Sequence, residues 1–118
     1  MNKRKIGDQG ERLAADFLIQ KNYRILEQNY YVRGGELDLI CEKNDKLIFV
    51  EVKLRKGKQF GDVRESLTFS KLHKLQRAIW QYLLKTKQQQ CDWQLDFVGI
   101  EYDGGEPRFV HIENISAE

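Results

Sequence analysis

Leu37-Asp-Leu-Ile-Cys-Glu42 and Leu47-Ile-Phe-Val-Glu-Val-Lys-Leu54, joined by Lys43-Asn-Asp-Lys46, decide how this chain folds. Both segments are rich in Leu, Ile, Val and Phe, and the joint carries turn residues, so together they predict a β-hairpin. Side chains alternate along a strand. On the second strand Ile48, Val50, Val52 and Leu54 make one wholly apolar face, while Glu51 and Lys53 share the other with Leu47 and Phe49. On the first, Glu36, Asp38 and Ile40 share a face, and Leu37, Leu39 and Cys41 take the opposite one. A two- or four-residue loop centred between Asn44 and Asp45 sets Asp38 opposite Glu51 and Glu36 opposite Lys53. Two carboxylates facing each other across a strand pair cost of order 0.2–1 kcal/mol. A divalent cation between them turns repulsion into chelation, because hard cations take oxygen ligands. The same spacing also fits an exposed hairpin face of mixed charge, or another register.

Around this hairpin the other elements fall into place. Asp8-Gln-Gly-Glu11 reads as a capping box, and Leu13, Ala14, Phe17 and Leu18 follow as a helical stripe. A first helix is expected from about Gln9 to about Lys21. Tyr23 to Tyr31 reads as extended, and Gly34-Gly35 breaks it. Arg55 to Phe69 has no period and reads as a long loop, which is uncommon unless functional or mobile. Ser70 is the expected N-cap of a second helix reaching about Lys87, with Leu72, Leu75, Ile79, Tyr82 and Leu83 on one side. Cys91 to Tyr102 reads as a strand whose apolar parity switches near Phe97-Val98, through a bulge or through burial on both faces. Asp103-Gly-Gly105 is a turn, and Arg108 to Ile112 an edge strand with Pro107 at its start. The order is α-β-β-β-α-β-β, an α/β chain expected to form one domain over residues 1–118.

Composition narrows the function. With 118 residues, 41% apolar and 11% aromatic, the chain has enough core to fold without staples. Two cysteines cannot build a disulfide framework or a four-ligand zinc site, which favours a reducing, cytoplasmic setting. No run of signal-peptide or membrane-span length is present, so no membrane partner is expected. Charge is unevenly spread. Lys53 to Arg77 holds eight basic residues against Asp62 and Glu65, whereas Cys91 to Glu118 holds seven acids against Arg108. A basic stretch of this kind suits a polyanion, or simply a solvated surface.

Asp38 followed by Glu51-Val52-Lys53 resembles the core of the restriction-endonuclease-like, or PD-(D/E)xK, nuclease superfamily. Gly10-Glu11, Asn29-Tyr30-Tyr31, Gly35-Glu-Leu-Asp-Leu-Ile40 and Phe49-Val-Glu-Val-Lys-Leu-Arg55 resemble the YraN-type family of uncharacterised bacterial proteins. That family is similar, through this core, to archaeal Holliday-junction resolvases. The resemblance runs from about Gly7 to Val98, and its one departure is Leu37 where the superfamily pattern has proline. It implies a restriction-endonuclease-like fold, a central mixed sheet flanked by helices. It also implies metal-dependent cleavage of DNA, with branched or damaged DNA in repair or recombination among the expected substrates. Asp38 and Glu51, with the Val52 carbonyl, would hold Mg²⁺ or Mn²⁺. Lys53 would orient or activate the attacking water, and Glu11 would be the helix-borne acid approaching the site. Arg55, Lys56, Lys58, Arg64, Lys71 and Lys74 would grip phosphates.

Each assignment has a plainer counterpart. Glu11 fits a capping-box acid, and Glu36 a cross-strand partner of Lys53. Arg55 reads equally as a loop charge. His73 and His111 read as surface or helix polar groups, Cys41 as core, and Trp80 and Trp93 as core aromatics. A non-catalytic nucleic-acid-binding module on the same fold is the alternative to the enzyme, with a salt-bridged structural adaptor third. The sequence leaves open whether the chain is a monomer or a homodimer.

Overall fold

A computed structural model of the chain describes residues 3–57 and 62–115. Its elements are α1 (Lys3–Gln20), β1 (Arg24–Val32), β2 (Gly35–Lys43), β3 (Lys46–Lys56), a short 3₁₀ turn (Val63–Ser66), α2 (Phe69–Lys85), β4 (Trp93–Tyr102) and β5 (Arg108–Ile112). The five strands form one sheet in the order β1-β2-β3-β4-β5. β3 and β4 run parallel, and the other pairs are antiparallel. The helices cover opposite faces. α2 closes a core of Ile40, Phe49, Leu75, Ile79, Leu83 and Leu95. α1 closes another, in which Ala14 and Leu18 meet Leu39, Val50, Val98 and Ile100. This is the mixed sheet flanked by helices that the resemblance implies, with the element order that the hydrophobic pattern predicts.

The hairpin turn is a two-residue loop, with Lys43 paired to Lys46 and both Asn44 and Asp45 at positive φ, 53° and 62°. Those angles are the type I′ geometry whose twist matches the strands, and Asn and Asp tolerate them. β4 is buried from Leu95 to Ile100 and keeps an unbroken register with β3, so its parity switch reflects burial on both faces rather than a bulge.

Three local expectations are corrected. α1 already includes Asp8, so neither Asp8 nor Glu11 belongs to an N-terminal capping box. The box lies elsewhere: Asp62 caps the 3₁₀ turn, and Glu65 accepts from the Asp62 N–H in return. α2 is capped by Thr68, whose hydroxyl accepts from the Lys71 N–H at 3.1 Å, so Ser70 lies inside the helix.

The 3₁₀ turn packs its buried Val63 onto Gly99 of β4. A Cβ at Gly99 would lie 2.5 Å from Val63 Cγ1 and 3.0 Å from the Phe97 ring. Gly99→Ala should therefore cost roughly 1–3 kcal/mol through overpacking, measurable by urea denaturation. Val63→Ala in the same chain should recover part of that loss.

At the far end of the sheet His111 is a correction of another kind. Its side chain is buried, and its Nε2 lies 2.8 Å from Asp96 Oδ2. Asp96, fully buried, also accepts from the Tyr23 hydroxyl (2.9 Å), the Gln94 amide (2.7 Å) and the Asn114 N–H (3.0 Å). Burial alone would raise the Asp96 carboxyl, but its donors, His111 foremost, together hold it below its ordinary value. Burial and the nearby Asp96 charge push the Tyr23 hydroxyl up.

Candidate metal centre

The sheet loses its regularity at Asp38. The β2–β3 ladder runs from Lys43–Lys46 to Leu39–Val50 in the register expected of the turn. The next pair would be Asp38 with Glu51, and there the ladder ends. Instead, the Val52 N–H donates to Asp38 Oδ2 at 2.9 Å. On the other side, β1 pairs Gln28 with Leu39 and Tyr30 with Leu37, while Asn29 between them sits at φ 52°. Asparagine is among the few residues that accept that conformation. Side-chain alternation breaks at the same point, since Leu37 and Ile40 both join the α2 core while Leu39 and Cys41 join the α1 core. The single shared face expected for Glu36, Asp38 and Ile40 is thus corrected.

The irregularity gathers acids from different elements. Carboxylate oxygens of Glu11, Glu36 and Asp38 lie within 4.8 Å of one another. Glu11 belongs to α1 and is buried, at 7% exposure. It reaches the sheet because the preceding Gly10 lies against β3, where a Cβ would come within 3.0 Å of Leu54 Cβ. Asp38 also reaches Glu51, close enough to share a hydrogen bond when one of them is protonated. Burial, then the Glu51 charge, push the Asp38 carboxyl up to about 9, against the opposing Val52 N–H. A donor set made only of carboxylate oxygens fits a hard divalent cation.

Glu36 therefore belongs with the acids. Among the described residues no ion pair joins it to Lys53, contrary to the cross-strand pairing expected. Lys53 is exposed on β3. A cation at the site is Lys71, whose Nζ lies 3.1 Å from Glu51 Oε2. Burial works against its charge, but Glu51, Asp38 and Glu36 outweigh that and hold the ammonium above its ordinary value. Lys71, expected to grip phosphates, pairs with Glu51 in the fold. The signal for this is its place in the first turn of α2, facing the sheet.

The other expected cations are dispersed. Arg64 forks onto Asp62. Arg55 is half-buried near the end of β3, where its charge helps hold the Asp62 carboxyl down to about 2, behind the larger effect of Arg64. Lys56 ends β3 and Lys74 lies on α2, both exposed, and Lys58 falls outside the described residues. Cys41 is core as expected, its thiol pushed up to about 12 by burial. Trp80 is not core: it is 50% exposed on α2.

A profile of the uncharacterised protein family UPF0102 matches residues 10–100, which include every acid of the site. The chain belongs to the UPF0102 family. A UPF0102 protein of Syntrophomonas wolfei is 42% identical over 111 residues, covering 94% of this chain and 96% of that one. One from Alkaliphilus oremlandii is 43% identical over 116 residues, covering 97% and 98%. One from Carboxydothermus hydrogenoformans is 34% identical over 115 residues, covering 98% of each. The Gly10-Glu11 and Gly35 to Ile40 segments of this UPF0102 chain are those that build the acidic cluster. Among the described residues no helix is long and apolar enough to cross a membrane.

Proposed function

We propose that the chain is a metal-dependent DNA endonuclease of restriction-endonuclease-like fold, hydrolysing phosphodiester bonds. One observation carries the reading: Glu11, Glu36, Asp38 and Glu51 converge from α1, β2 and β3 where the sheet ladder breaks. A fold selected only for stability avoids such a concentration of buried like charge. Asp38 and Glu51 would hold Mg²⁺ or Mn²⁺, with Glu11 and Glu36 around them and the Val52 backbone alongside. When bound, the ion supplies an activated water and neutralises charge growing on the phosphate. Lys53 shares the Glu51 face of β3 and is exposed, so its ammonium is accessible to the scissile phosphate. Lys56 and Lys74 extend the positive charge toward flanking phosphates.

A second reading has its own observation. Lys71 already neutralises Glu51, which suits a non-catalytic module that binds nucleic acid on the same fold. One assay separates the two: the purified chain with linear, nicked, branched and single-stranded DNA, with and without Mg²⁺ or Mn²⁺. For the nuclease, Asp38→Asn and Glu51→Gln should each lower cleavage at least about a hundredfold, the scale of losing a transition-state charge stabiliser. DNA binding in metal-free buffer should not weaken, because neither change adds negative charge facing the phosphates: Glu51→Gln removes one, and the Asp38 carboxyl is already held up to about 9. A parent that binds but cuts none of these substrates with either metal is the module. Charge reversal at Lys56 should weaken duplex binding for all sequences alike. It should also make the salt slope shallower by about 0.9 for each phosphate that is no longer neutralised.

A further inference from the structure

α2 buries one side against the sheet and presents the other to solvent with an unusual composition. Phe69, His73, Arg77, Trp80 and Leu84 follow at four, four, three and four residues, the spacing of a single helical stripe. All five are exposed, Phe69 at 67%, Trp80 at 50% and Leu84 at 45%. Beside the stripe a shallow groove is lined by Arg33, Gly34, Lys74, Arg77 and Gln81. Its wall is pinned: the Gln81 amide donates to the Arg33 carbonyl at 2.9 Å, fixing the β1–β2 turn against the helix. Tyr31, 63% exposed, continues the surface next to Leu84. Between Glu65 and Asp92 the chain has no acid at all, but five Lys or Arg.

We propose that this face of α2 binds single-stranded DNA, with an unpaired base stacked on Trp80 and its phosphates on Arg77, Lys74 and Arg33. The proposal rests on the nucleic-acid reading above and adds the strand state recognised. Charge complementarity decides the occupant. A two-fold self-contact would set the same stripe against itself, bringing Arg77 and Lys74 toward their own copies with no acid to answer them. A polyanion meets the cations instead. The aromatics decide the strand state, because a duplex offers this surface phosphates only, whereas unpaired bases stack on exposed rings. Trp80 lies opposite Lys71 around the helix, so the platform is separate from the acidic cluster. Phe69 begins the same stripe, roughly 16 Å from Trp80 by helical rise.

The test is fluorescence anisotropy of a labelled 15-nucleotide oligo-dT and of a 15-base-pair duplex, in low-salt buffer with chelator. Trp80→Ala should weaken oligo-dT binding between about fivefold and a hundredfold, the measured range for one stacked base, and duplex binding less than twofold. Trp80→Phe should restore most of the loss, which shows that a ring rather than folding is at stake. Equal oligo-dT affinity for the parent and Trp80→Ala, or an equal loss on duplex, overturns the proposal. So does a parent dimer that Trp80→Ala converts to monomer, since the stripe is then a self-contact. Failure of the platform and failure of the broader nucleic-acid reading look different. Oligo-dT binding that does not depend on Trp80, beside duplex binding that depends on Lys56, sinks only the platform, whereas a parent that binds neither probe sinks both.

Discussion

Asp38→Asn should make the protein more stable at pH 8, by at least about 1.4 kcal/mol, the worth of one pKa unit, or roughly 5 °C in melting temperature for a chain of this size. The folded protein holds the Asp38 carboxyl far above the ordinary carboxylate range, toward about 9, first by burial and then by the Glu51 charge. The unfolded chain releases that proton near pH 4. Between those values the folded state binds more protons than the unfolded one, so this group's contribution is fully present below about pH 4 and declines as pH rises toward 9. Asparagine keeps an oxygen for the Val52 N–H and removes the titration. The parent should therefore lose stability between pH 5 and 9 more steeply than the variant. Mg²⁺ or Mn²⁺ should raise the melting temperature of the parent and not of the variant. A variant as pH-sensitive as the parent would show that Asp38 is ionised and unstrained in the fold, and would remove the main electrostatic argument for a cation there.

Asp96→Ala should be the most damaging single change on β4, costing about 1–3 kcal/mol for each buried donor left without a partner. It would strand four donors at once: His111, the Tyr23 hydroxyl, the Gln94 amide and the Asn114 N–H. Their common partner ties β4 to β5, to the segment after α1 and to the residues beyond β5. Asp96→Asn should recover part of the loss, since an amide oxygen still accepts two of these bonds. The sign with pH is opposite to that of Asp38. The Asp96 carboxyl is held below its ordinary value, so its contribution is present above about pH 4 and disappears as pH falls through the depressed value. Urea midpoints at pH 7 and pH 3 check both statements: the variant should be far weaker at pH 7, and the gap should narrow at pH 3.

The hairpin is legible in the sequence because two independent signals agree on it. The alternation of Ile48, Val50 and Val52 gives the faces, and Asn44-Asp45 gives the turn and hence the register. The break at Asp38 is not legible, because the alternation within the hairpin predicts that the ladder continues to the Asp38–Glu51 pair, and no pattern there encodes its end. For that reason Glu36 reads as a partner of Lys53 rather than as a neighbour of Glu11. Glu11 is placed near the site by the family resemblance, since its own local pattern reads as a capping box. The closeness that brings it there comes from Gly10 against Leu54, a long-range contact. His111 reads as a surface group because its partner Asp96 lies on a neighbouring strand. Trp80 reads as core because a large aromatic on an amphipathic helix is usually buried. Its angular position, shared with Arg77 and His73 and opposite Leu75 and Ile79, carries the contrary signal.

The order of the strands in the sheet is also their order along the chain, and this bears on how the molecule assembles. β1, β2 and β3 are joined by two tight turns, so their pairing closes only small loops. The stretch that carries Glu36, Asp38 and Glu51 can thus be put together by local events. Lys71 arrives only with α2, which belongs to the one long connection in the sheet and closes on a slower timescale. In the interval the carboxylates face each other with no lysine between them. Part of the electrostatic penalty of this centre then falls on the rate at which the chain reaches its native state. A divalent cation or a proton that screens the acids early would speed the assembly of this part of the sheet.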